Sequence, residues 1–338
     1  MTLLAKYNSI DAMKMFMAFC VVGIHVNHFT NDHLTDWVVR LFFTAVPFFF
    51  VASGFLLENK ILRAQANEEL TILKSSAKKN LRIYLLWILL YFPIALYDAL
   101  TNSLVWYMDI ARYLRGVILI GETKLSWPLW FLLALVVAVY IIYWLRKRSV
   151  SHEKIFLIGI CLMLAGHFIS VLKDARVPVI STLCKTEMLV YGTRNGIFTG
   201  LALVSSGILI RKHLEKIAGG LHWGVPLLCV GLGLILLEWP FGSFFLGVAL
   251  FLITLSLRLP DHGIFKRLRT DSMLVYLIHM FVIVLLYFVL SEICSIDMKS
   301  NSVYLMLPIV FFLTWGIAVG IDFLRKKPGF HWLAYFIE

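Results

Sequence analysis

The chain has 338 residues, 60% hydrophobic and only 15% charged, with a formal net charge of +11. That apolar share excludes a soluble domain of this size, and repeated apolar runs of about 20 residues are what a bilayer core demands. The positive charge does not point to nucleic acid, because the basic residues cluster between apolar runs, as in a polytopic membrane protein.

Ten spans are expected, over 12–30, 37–57, 82–100, 127–145, 154–172, 194–210, 223–238, 241–257, 272–291 and 303–324. The first is longer than a signal-peptide core and no small-residue cleavage site follows it, so it reads as a retained span. Pro47, Pro93 and Pro308 fall within spans, where they are expected to kink them. Glu238-Trp239-Pro240 is the tight turn between the seventh and eighth. With the N-terminus inside, most of the 31 Lys and Arg residues fall in inner segments, densest in the loop 58–81. Both termini are therefore expected to be cytoplasmic. The longest outer loops, near 98–126 and 173–193, are candidates to cap an external opening. No internal repeat and no soluble domain at either end is seen, so one transmembrane domain over 1–338 is expected. The five cysteines, Cys20, Cys161, Cys184, Cys229 and Cys294, have no paired or metal-like spacing, so neither a disulfide framework nor a metal is expected.

The first span carries Lys14 near its inner end and His25 deep inside. Eleven residues of helix separate them by about 16 Å. His25 lies about 20 Å from the inner end of a hydrocarbon core about 30 Å thick. Ionisable groups at that depth are costly and mark function by default. The plainer reading of His25 is a histidine bonded to a neighbouring helix. Lys14, Lys78, Lys79 and Arg82 stand at the same expected face. They are either topology signals or a clamp for phosphates held by charge-assisted hydrogen bonds. Coenzyme A has phosphates at one end, a thioester at the other and an arm comparable in length to the Lys14–His25 rise. A donor clamped at the face would bring its acyl group to His25, which is suited to act as general base or acyl carrier.

Several motifs carry a resemblance. Ile10-Asp11-Ala12-Met13-Lys14 followed by His25 has a basic residue, ten positions and a histidine. Val46-Pro47-Phe48-Phe49-Phe50-Val51-Ala52-Ser53-Gly54-Phe55 follows in the second span. Lys79-Asn80-Leu81-Arg82-Ile83-Tyr84 opens the third, Leu129-Trp130-Phe131-Leu132 opens the fourth, and Val275-Tyr276-Leu277-Ile278-His279 lies late in the chain. In this order they resemble the acyltransferase 3 family of integral membrane acyltransferases, in which Lys14 and Lys79 are usually arginine. Lysine keeps the charge there and loses the planar fork. The resemblance implies transfer of an acyl group, usually acetyl from acetyl-CoA, to an acceptor that is often a cell-envelope sugar. It implies that His25 is catalytic and that Lys14, Lys79 and Arg82 contact the donor. A narrower segment, Gly192-Thr193-Arg194-Asn195-Gly196-Ile197-Phe198, resembles the membrane half of VanT-type serine racemases.

Three further residues are candidates for contact with substrate. Trp130 lies in its motif; otherwise it is an interfacial belt residue. Arg194 is an interfacial anchor or recognises an anionic acceptor. His279 lines an acyl path, or packs against Tyr276 or a backbone carbonyl. Asp11, three residues before Lys14, is expected to pair with it. Glu58 is expected to be solvated, Glu238 to meet an acceptor at the outer face, and Ser53-Gly54 to permit close helix approach. The leading reading is an O-acyltransferase of the bacterial plasma membrane, meeting acyl-CoA inside, an envelope carbohydrate or lipid-linked acceptor, and membrane lipids; a homo-oligomer is compatible with it. The alternative is a transporter of a small amino acid such as serine.

Overall fold

The computed structural model describes residues 7–65, 67–102, 106–123, 125–174, 194–215, 217, 221–239, 241–295 and 302–337. The outer loop 173–193, with Cys184, Gly192 and Thr193, lies almost wholly outside them. Among the described residues the chain is helical and without strands: an all-α, polytopic membrane protein. Seven helical runs are long and apolar enough to cross a bilayer, the shortest of them 21 residues. All ten expected spans fall on helix, but three are short. Helices α9 (Leu221–Leu236) and α10 (Gly242–Ser256) have 16 and 15 residues, and the sixth expected span is a π turn, Gly196–Gly200, running into the 12-residue α8 (Leu201–Lys212). A 16-residue helix rises about 24 Å, less than the hydrocarbon thickness. The second expected span divides at Phe43–Thr44 into α2 (Asp36–Phe42) and α3 (Ala45–Ile61). Pro47 thereby falls in the first turn of α3, where no intrahelical hydrogen bond is lost.

The chain resolves into two compact units, residues 1–49 with 215–338 and residues 50–214. In the first, α1 (Asn8–Phe29) packs against α11 (Gly263–Phe288) and α12 (Val303–Leu324). The buried stripe of α12, Met306, Val310, Thr314 and Ala318, repeats every four residues, as one helix face must. Thr314 is accommodated because its hydroxyl donates to the Val310 carbonyl at 2.6 Å. Phe19 and Phe311 meet edge to face at 5.1 Å between centroids. Helices α9 and α10 form a hairpin in which Gly231 abuts Leu246 and Gly242 abuts Ile235. Its turn places Glu238 at φ 60°, and Arg40 holds that carboxylate at 2.9 Å. Glu238, expected to face an acceptor, is thus half of a surface ion pair.

In the second unit α4 (Glu69–Asn102) runs 34 residues, about 51 Å. It begins 13 residues before the expected span, because the basic run Lys74–Arg82 continues the helix instead of forming a loop. Its buried face is Leu73, Ala77, Tyr84, Ile88 and Tyr91, while Lys74, Lys78, Lys79 and Arg82 are exposed. Tyr84 donates its hydroxyl to the Val117 carbonyl at 2.6 Å. That carbonyl lies in a π turn after α5 (Trp106–Arg115). Helix α6 (Trp130–Lys147) packs along α4, and α7 (His152–Asp174) packs on α8. A Cβ on Gly54 would strike the Val204 carbonyl, and one on Gly207 the Val51 carbonyl. Small residues at both points let α3 and α8 cross backbone to backbone.

The basic ends of this unit's helices close on an ion-pair network. Arg146 takes both oxygens of Glu69, at 2.5 and 2.8 Å, and donates to the Val150 carbonyl at 2.8 Å. Lys212 pairs with Glu153 at 3.0 Å, and Arg211 donates to Asn59 at 2.8 Å. Glu58 is only 3% exposed. The expectation that it is solvated is overturned, because the helix ends converge around it.

Candidate active site

The first unit brings together two histidines from opposite ends of the sequence. His25 on α1 and His279 on α11 lie side by side, ring centroids 5.1 Å apart and planes inclined at 37°. His25 is half-buried and His279 completely buried. The Nδ1 of His279 lies 3.1 Å from the Val275 carbonyl, so one of the packing alternatives, a backbone partner, is present. Its Nε2 is buried without a hydrogen-bond partner. Phe49 and Tyr276 wall this region, meeting edge to face at 5.7 Å, and Tyr276 stands 6.2 Å from the His279 ring.

An ion pair fixes the register of the two helices. Asp11, 2% exposed, receives two bonds from Arg269, 2.7 Å from Nη2 and 3.0 Å from Nε. The expected Asp11–Lys14 pairing is therefore corrected: the buried carboxylate is claimed by a guanidinium from α11, whose fork matches it two-fold. From Asp11 to His25 is fourteen residues and from Arg269 to His279 ten, both in the same chain direction. The helices thus run parallel, and the long arginine side chain takes up the difference in rise, about 6 Å. Nearby, Asp271 accepts the indole N–H of Trp315 at 3.1 Å, and Asp322 is held by Arg325 and Lys326.

Lys14 sits half-buried on α1, one helical turn beyond Asp11. Lys79 and Arg82 share the exposed face of α4 in the second unit, three residues apart and so neighbours on one helix surface.

Trp130 and Arg194 also come together within the second unit. The Arg194 guanidinium lies over the Trp130 ring, 4.7 Å from its centroid. Three local features set this up. Asn195 caps the π turn through its side-chain oxygen, accepting from Ile197 and Phe198 N–H at 2.9 and 3.0 Å. Gly196 lies directly against Ala134 and Val137 of α6, where a side chain would collide. Trp130 opens α6, 7% exposed, braced by Phe50 at 6.0 Å. Burial pushes the Glu122 carboxyl above its usual range, and the nearby Arg194 charge partly offsets this. The sequence reading missed Glu122, and nothing in its local pattern marks it: it meets Arg194 across 72 residues of chain. His167 is half-buried on α7, His28 and His33 are exposed beyond the His25 level, and Cys20 is buried. Among the described residues no group of three His, Cys, Asp or Glu is placed to hold a metal.

A family model described as an acyltransferase domain matches residues 7–324. The chain belongs to the acyltransferase 3 family. The chain is also similar to a serine/alanine racemase of Enterococcus gallinarum, 27% identical over 343 residues, covering 95% of this chain and 46% of that protein. Two amino-acid racemases of Enterococcus faecalis are 31% and 32% identical, covering 50% and 48% of this chain and 22% of each racemase. The chain thus spans less than half the length of these relatives. No solved structure matches.

Proposed function

We propose that this acyltransferase is a single transmembrane domain of the bacterial plasma membrane, with both termini cytoplasmic. It moves acetyl from acetyl-CoA to a hydroxyl of a cell-envelope glycan or glycolipid. The observation that carries the reading is the His25–His279 pair, a half-buried and a buried histidine on two helices of one unit in a chain of this family. Lys14, Lys79 and Arg82 hold the donor's phosphates by charge-assisted bonds. His25 takes the proton of the acceptor hydroxyl as its oxygen bonds to the thioester carbonyl carbon. The carbon–sulfur bond breaks, and His25 returns the proton to the departing sulfur. Arg194, stacked on Trp130, takes an anionic group of the acceptor, and His279 lines the acyl path.

The test is acetyl-CoA binding and turnover by the purified protein. His25→Ala should lose turnover at least 100-fold, on the scale general-base catalysis contributes, and still fold and bind donor. Lys14→Ala should raise the donor Kd about tenfold. Normal transfer by His25→Ala removes His25 from the chemistry. The second reading is transport of a small amino acid such as serine; the racemase relatives bear on it only through the amino acids in their names, serine and alanine. Uptake of labelled serine into proteoliposomes without acetyl-CoA would favour it.

A further inference from the structure

The Nδ1 of His279 faces a carbonyl oxygen, which only accepts, so Nδ1 carries the hydrogen. The neutral ring then leaves a bare lone pair on Nε2, and that atom is buried without a hydrogen-bond partner. A buried acceptor left unsatisfied is costly, and such an orphan calls for an explanation. The His25 ring supplies one. A ring nitrogen stands about 1.1 Å from its centroid, so two nitrogens aimed at each other across the 5.1 Å gap come within about 3 Å. The bond requires the His25 ring to turn until one of its nitrogens faces Nε2. The Asp11–Arg269 pair holds α1 and α11 in the register that keeps the rings opposite.

We infer that Nε2 of His279 accepts the ring N–H of His25 and so acts as a positioning residue that fixes which His25 nitrogen is bare. The inference rests on the reading of His25 as the reacting base. With one nitrogen pinned as an N–H toward His279, the other presents its lone pair to the acceptor hydroxyl. When His25 takes the hydroxyl proton it becomes an imidazolium, and its bond to His279 becomes charge-assisted. The proton moves from hydroxyl to His25 and on to the coenzyme A sulfur. The shared N–H stays on His25 throughout, and His279 gains and loses nothing. A neutral acceptor suits a site at membrane depth, where a carboxylate in the same role would carry a full desolvation cost.

Three variants separate this role from packing, with hydrolysis of acetyl-CoA as the probe reaction. His279→Leu keeps volume and loses both nitrogens. His279→Asn keeps a donor near the Val275 carbonyl and loses the distal acceptor. His279→Gln restores an acceptor near the Nε2 position. Leu and Asn should lower kcat about 100-fold and leave KM for acetyl-CoA within about twofold, and Gln should recover about tenfold of the loss. Full kcat in folded His279→Asn overturns the inference. So does a raised KM with unchanged kcat, which would leave His279 as lining of the acyl path alone. A readout that needs no turnover keeps the two readings apart. In spectra of ¹⁵N-histidine-labelled protein, the Nε2 signal of His279 should move when His25 becomes alanine. An unmoved signal overturns the positioning role even if His25→Ala is inactive. A moved signal with a fully active His25→Ala preserves the contact and removes the catalytic reading instead, and the positioning role falls with it.

Discussion

A carboxylate buried in an apolar helix needs its counter-charge, and Asp11 finds it 258 residues downstream. The sequence marked Asp11 as paired but offered only its neighbour Lys14. Short-range spacing registers an i, i+3 partner, whereas a bidentate partner on another helix leaves no local trace. The pair is asymmetric: the Asp11 side chain is 3% exposed and that of Arg269 58%. Arg269→Ala strands a buried charge and should cost about 3 kcal/mol, whereas Asp11→Ala frees an arginine already in contact with solvent and should cost about 1 kcal/mol. Denaturant titration of both variants checks the order; equal losses would mean that Asp11 is hydrated. The second residue-scale prediction concerns Glu122. Its raised carboxyl pKa means that the folded chain holds the proton to higher pH than the unfolded chain. The stability tied to that proton is complete below the unfolded value, 4.5, and is lost as pH rises through the folded pKa. Glu122→Gln should therefore raise Tm at pH 8 more than at pH 4. An equal change at both pH values counts against the burial.

At the scale of elements, the apolar runs were legible because bilayer thickness sets a length any reader can count. The exceptions have physical causes. The start of α4 was hidden because its first turns are basic and amphipathic, and hydropathy registers apolar content, not helix. The break between α2 and α3 carries no glycine or proline at Phe43–Thr44 to announce it. The candidate residues came from motifs, His25, Lys14, Trp130 and His279 among them. The facing of His25 and His279 was not, since only the packing of α1 on α11 creates it. Ser53-Gly54 did signal close approach, and the crossing of α3 on α8 makes that testable. Gly207→Val would drive a branched side chain into the Val51 backbone and should cost at least about 3 kcal/mol, the upper range of overpacking. Gly233 on α9 has nothing within 4 Å of an added Cβ, so Gly233→Ala should be neutral or stabilising by up to about 1 kcal/mol. Detergent melts of the two variants give the contrast.

At the scale of the whole molecule, the placement of Lys and Arg predicts which face of the membrane each loop meets. Single cysteines at Asn31 and Ser149 should label from opposite sides in intact cells, Asn31→Cys from outside and Ser149→Cys only after permeabilisation. Labelling of both from outside would reverse the expected topology and take Lys14 away from cytoplasmic coenzyme A. The length of α4 has a consequence of another kind. Lys79 and Arg82 ride on the same helical rod as the apolar residues that follow them, and the proline of that rod comes only at position 93. A long apolar helix answers a thinner bilayer by tilting. Tilting the rod sweeps its basic end sideways across the membrane surface, as the tip of a mast moves when a hull heels. If those cations hold the donor as proposed, its capture becomes a function of lipid chain length, and the same purified protein should show different apparent affinities for acetyl-CoA in short-chain and long-chain vesicles.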